Sequence, residues 1–139
     1  MILKHASQQT SQRWCLALIL AACATGCGGP TPVTGGTPGT LRFGKQPSAD
    51  IQLTVHQRDS MIGDFLPIGI ATTGNDGSFT LVKNSAEGPL RLSPGTYRIT
   101  LESAGNPAPI PPEYSSWTTT PLKVTWGEGD THLELETKD

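Results

Sequence analysis

Cysteine is scarce and badly placed for a disulfide framework. The chain has three, Cys15, Cys23 and Cys27, all within the first 27 of 139 residues. The body beyond them has none, so packing alone must hold it, which a domain of about 100 residues manages without covalent staples. Basic charge is scarce too. Lys4 and Arg13 are the only Lys or Arg in the first 27 residues, and beyond them eight basic residues face twelve acidic ones. A mildly acidic body lacks the positive field that holds phosphates, which argues against nucleic acid as a partner. Long apolar runs are also missing. The longest, from Trp14 to Ala22, falls short of the ~20 residues that span a bilayer, and Gly26, Gly28, Gly29 and Pro30 break any helix that would extend it.

That short run has the length of a secretory h-region and follows the positively inclined start made by Lys4, His5 and Arg13. It ends in Leu20-Ala21-Ala22-Cys23, which resembles the lipobox of bacterial lipoproteins: an aliphatic residue and two small ones before a cysteine that receives diacylglycerol. Small residues suit a cleavage site because the peptidase must bring extended backbone against its catalytic groups. The resemblance implies that residues 1–22 are a signal peptide and that Cys23 is lipidated and becomes the new N-terminus. Cys27, after Ala24-Thr25-Gly26, is the alternative site. Neither Ala24 nor Gly28 is the Asp that retains many Gram-negative lipoproteins at the inner membrane, so the expected location is the outer membrane, facing the periplasm or the cell surface.

Gly, Pro and Thr dominate the next stretch, so residues 23–38 are expected to be the lipidated cysteine and a flexible tether. Residues 39–139 then read as one all-β domain. Sixteen glycines and twelve prolines imply many turns between short strands. Period-two alternation marks five strands, around Ile51–Val55, Phe79–Leu81, Tyr97–Leu101, Leu122–Trp126 and Leu133–Leu135. Thr40–Phe43, Ile68–Thr73 and Leu90–Leu92 are shorter or interrupted candidates. Gly74-Asn75-Asp76-Gly77 and Gly127-Glu128-Gly129-Asp130 read as hairpin turns, and Ser93-Pro94-Gly95 as the turn before Thr96. Leu53, Phe79, Ile99, Val124 and Leu135 are the expected inward residues, with Trp126 in the core beside them.

No catalytic constellation or cofactor motif emerges. His56 and His132 lie on polar strand faces, as solvated surface histidines do, and no serine stands in a nucleophile elbow. Asn75 and Asp76 share one turn and Asp130 belongs to another, whereas calcium wants six or more convergent oxygens, so no metal site is expected. The candidate ligand contacts are Trp117, set among serines and threonines outside any alternation, and Tyr114, beside Glu113 in a proline-rich loop. For both, packing against the domain is the competing reading.

In order and spacing, four pieces resemble the carboxypeptidase-regulatory-like, transthyretin-like domains of bacterial surface lipoproteins. They are Gly44-Lys45-Gln46-Pro47 leading to Ala49–Val55, the Thr73–Phe79 segment, Ser93–Ile99, and Ile110–Tyr114 before Thr120–Val124. The resemblance implies an antiparallel Greek-key sandwich of about seven strands, without catalytic activity of its own. Transthyretin-like enzymes acting on 5-hydroxyisourate carry a Tyr-Arg-Gly-Ser tail, where this sequence has Glu136-Thr137-Lys138-Asp139. The expected function is a structural or protein-interaction role at the cell envelope, with a lipid anchor in the membrane. The alternative is a carbohydrate- or peptide-binding module using Trp117, Tyr114 and the Arg58–Leu66 loop.

Overall fold

The computed structural model describes residues 33–105 and 108–138. The expected leader, the expected tether as far as residue 32, and both lipidation candidates, Cys23 and Cys27, lie outside the described residues. The described chain is almost entirely strand and turn. Its strands are β1 (Pro38–Phe43), β2 (Gln46–Pro47), β3 (Ile51–Arg58), β4 (Phe65–Thr72), β5 (Ser78–Thr80), β6 (Val82–Lys83), β7 (Gly95–Ser103), β8 (Lys123–Trp126) and β9 (Leu133–Thr137). A single 3-10 turn covers Pro112–Ser115.

Two sheets form. The larger runs β6-β4-β3-β7-β8 and is antiparallel throughout. In the smaller, β1 pairs β2 and β5 antiparallel on one edge and β9 on the other. The β1–β9 ladder is parallel, from Gly39 opposite Leu133 to Phe43 opposite Thr137, so the antiparallel expectation holds for every ladder but this one. The alternating residues meet between the sheets: Ile51, Leu53 and Val55 from β3, Tyr97, Ile99 and Leu101 from β7, and Leu41, Phe79, Leu133 and Leu135 from the smaller sheet are all buried. Each such side chain stabilises the fold by about 1.5–3 kcal/mol relative to its exposed state. Val124 is the exception among the expected core residues. It points to the correct face but is only partly buried, because four-residue β8 is an edge strand, and its neighbours Leu122 and Trp126 are the buried ones.

Both predicted hairpins are corrected. Gly74–Gly77 does form a tight turn, with the Gly77 amide on the Gly74 carbonyl at 2.9 Å and Gly77 at φ 75°. It joins β4 of the larger sheet to β5 of the smaller, however, and the two do not pair. Gly127–Asp130 likewise carries the chain from β8 across to β9 in the other sheet. Turn residues set a local reversal; which edge the outgoing strand joins is decided by distant partners such as β1. Of the shorter strand candidates, Leu90–Leu92 forms no strand: the adjacent Pro89 makes only an isolated bridge to Val82.

The body begins before residue 39. Thr37 is buried, donates its amide to the Leu90 carbonyl at 2.8 Å, and accepts the Leu92 amide on its hydroxyl at 2.9 Å. Gly36 lies so close to this wall that a Cβ there would fall 1.9 Å from the Leu81 carbonyl oxygen. The chain thus enters along a fixed path.

Register decides which loops share an end of the two-sheet body. Gln57 stands opposite Tyr97 and Gly95 opposite Trp126, so the β3–β4 connection, the start of β7 and the end of β8 lie together. The entering segment is there too, since Gly35–Pro38 and Trp126–Gly127 line one open groove of about 440 Å³. The Gly74–Gly77 turn lies at the other end with Asp50, Thr73 and Ala104, which bond one another through their backbones.

Candidate functional site

Three side chains from three segments meet on the outer face of the larger sheet. Phe65 opens β4, Arg98 lies on β7 two strands away, and Trp117 follows the 3-10 turn. The Phe65 and Trp117 rings stack with centroids 5.5 Å apart and planes inclined by 27°. The Arg98 guanidinium reaches across β3 to sit 4.6 Å from the Phe65 centroid and 5.8 Å from that of Trp117. Its Nη1 also donates to the Trp117 carbonyl at 2.8 Å. All three are half-buried, so the cluster is a braced surface, with one side packed and the other open to solvent.

Arg98 stands opposite His56 in the β3–β7 ladder, and this changes the reading of that histidine. His56 is buried, not solvated. Its Nε2 lies 3.1 Å from the Thr100 hydroxyl, and its Nδ1 is enclosed with no partner. Burial disfavours the imidazolium and pulls the pKa below the ordinary value of about 6.5. His132, by contrast, is exposed, with Nε2 3.3 Å from the Thr40 hydroxyl.

The acidic turn residues are spent within their own loops. Asp76 accepts the amide and hydroxyl of Ser78, and these bonds hold its carboxyl below the usual range. Asp130 accepts the Gly127 amide at 2.7 Å. Asp76 and Asp130 lie at opposite ends of the body, and among the described residues no three His, Cys, Asp or Glu side chains converge on a point that would hold a metal. No helix among them is long and apolar enough to cross a membrane.

Trp117 and Tyr114, the two contact candidates, are not brought together on the surface. Tyr114 is 2 % exposed, and its hydroxyl accepts the Lys138 amide at 3.2 Å. The ring belongs to the core and is not available to a ligand, because the 3-10 turn lies against β7 and directs it inward. Trp117 stays partly open, held by Phe65, which lies in the predicted Arg58–Leu66 loop but opens β4, and by Arg98 on the polar face of β7. The Arg58–Leu66 loop is ordered by its own residues: Asp59 Oδ1 accepts the amides of Met61 at 2.8 Å and Ile62 at 3.1 Å. No protein-family model matches the chain, and no curated protein or solved structure matches it.

Proposed function

We propose that this chain is the precursor of a lipid-anchored protein of the bacterial cell envelope, with a non-catalytic β-domain that serves a structural or protein-interaction role. The observation that carries the anchor is Leu20-Ala21-Ala22-Cys23 at the end of a short apolar run behind Lys4 and Arg13. In this reading residues 1–22 are removed, Cys23 (or Cys27) is acylated, and the body is a transthyretin-like Greek-key sandwich. Its principal strands are the seven of three residues or more, with two-residue β2 and β6 as extensions. The body stands at the outer membrane, facing the periplasm or the cell surface.

The braced Phe65–Arg98–Trp117 surface supports an interaction role, since aromatic and Arg side chains fixed before contact lose little entropy on binding. The second reading, a carbohydrate- or peptide-binding module, draws on the same partly exposed Trp117. It is weakened by the stacking of that indole on Phe65, which occupies a ring face that a sugar would use. Fractionation of an expressing bacterium tests the main reading. The wild-type chain is expected in the membrane fraction and a Cys23→Ser, Cys27→Ser chain in the soluble one; a wild-type chain found in the soluble fraction would overturn it. Saturable quenching of tryptophan emission by cell-wall glycan fragments would establish the second reading instead.

A further inference from the structure

We infer that the tip of the β3–β4 connection, Met61 and Ile62, is a second and non-covalent contact with the lipid bilayer, an inference that rests on the lipid-anchor reading above. Met61 is 92 % exposed and Ile62 63 %, the two most exposed large apolar side chains among the described residues. Scattered apolar residues on a surface need no explanation. Two adjacent ones at the apex of a projecting hairpin are a different case, because the loop is built to hold them there. Asp59 Oδ1 caps both their amides. The Gly63 amide bonds the Asp59 carbonyl at 2.9 Å, the Asp59 amide the Asp64 carbonyl at 2.8 Å, and Arg58 Nε the Gly63 carbonyl at 3.2 Å. Backbone groups that enter the headgroup and acyl boundary must keep their hydrogen bonds, and these bring their own partners.

Topology aims the tip. The entering segment Gly35–Pro38 and the β3–β4 connection occupy the same end of the body: register puts the connection at the same end as the close of β8, and the groove puts the entering segment beside Trp126 and Gly127. Val33, itself partly exposed, is ten residues from Cys23. Ten residues span at most ~35 Å, so an acylated cysteine keeps this end close to the bilayer surface. Leash and tip work together: two side chains give too little buried area to hold the protein alone, but a local contact needs only to orient a domain already confined. Asp59 and Asp64 flank the tip against one cation, Arg58, so no basic patch draws it to anionic lipid. The contact is apolar in kind.

Met61 is its own probe, being the only methionine besides Met1. The full chain, processed and acylated in a bacterium, is reconstituted into phosphatidylethanolamine vesicles with and without phosphatidylglycerol, floated, and treated with hydrogen peroxide. Conversion of Met61 to the sulfoxide is followed by mass spectrometry against the Cys23→Ser, Cys27→Ser chain free in buffer. Oxidation roughly fivefold or more slower on both vesicle types is the expected result. A chain that floats yet oxidises at the free rate overturns the bilayer contact, leaves the anchor standing, and hands the tip to an apolar pocket on a protein. Slowing that requires phosphatidylglycerol overturns the apolar mode of contact. A chain that does not float overturns the anchor and this inference with it.

Discussion

Replacing Arg98 with alanine removes a charged donor from the Trp117 carbonyl at 2.8 Å and a guanidinium 4.6 Å from the Phe65 centroid. A hydrogen bond from a charged group contributes about 1.5–3 kcal/mol, toward the low end here because the site is half-open. The cation–π contact adds ~0.5–1 kcal/mol at such exposure. Freeing the long side chain returns ~1–2 kcal/mol of rotamer entropy, so the net expected loss is about 0.5–1 kcal/mol. Urea unfolding of the chain from Val33 onward reads it as a lower midpoint at unchanged slope. Trp117 should report the same event as a red shift of emission, since its backbone is no longer tied to β7. A cycle with Phe65→Leu separates the ring contact from the hydrogen bond, with an expected coupling of ~0.5–1 kcal/mol. Stability within ~0.5 kcal/mol of wild type, with no coupling and no spectral shift, would refute the braced surface.

Ile99→Ala, at 1 % exposure between the sheets, should cost ~2–5 kcal/mol in the same assay; a loss no larger than that of Arg98→Ala would mean that the β7 register is misread. His56 gives a pH dependence of defined sign. Its folded-state pKa lies below its unfolded value of about 6.5, so the neutral ring's contribution is complete above that value and lost as pH falls from it toward the folded-state pKa. His56→Gln, which keeps an amide for the Thr100 hydroxyl, should flatten the decline in urea midpoint between about pH 7 and pH 5; an unchanged decline would assign it to other groups.

Alternation along the chain was enough to place strands and their inward faces, because burial on one side of a pleated ribbon imposes a period of two. Leu53, Phe79, Ile99 and Leu135 are buried as that period requires. Partners were less legible. Asp76-Gly77 and Gly127–Asp130 declare reversals, yet both hand the chain to the opposite sheet, and nothing near Leu133 announces a parallel ladder with Leu41 nearly a hundred residues earlier. The site shows the same division. Trp117 stood out because it broke the alternation. Arg98 and His56 did not, because a polar face looks solvated until a long side chain is seen to cross it. Phe65 was hidden as the first residue of an irregular strand, interrupted by Pro67 and a register shift opposite Val55 and His56.

The proposed place of this protein in the envelope depends on the lipid anchor, and mass spectrometry of the mature N-terminus tests that directly. Protein extracted from bacterial membranes should begin at Cys23 carrying a diacylglyceryl thioether, with residues 1–22 absent; the same lipid on Cys27 would move the site and keep the anchor. An unmodified N-terminus at any other residue would contradict it.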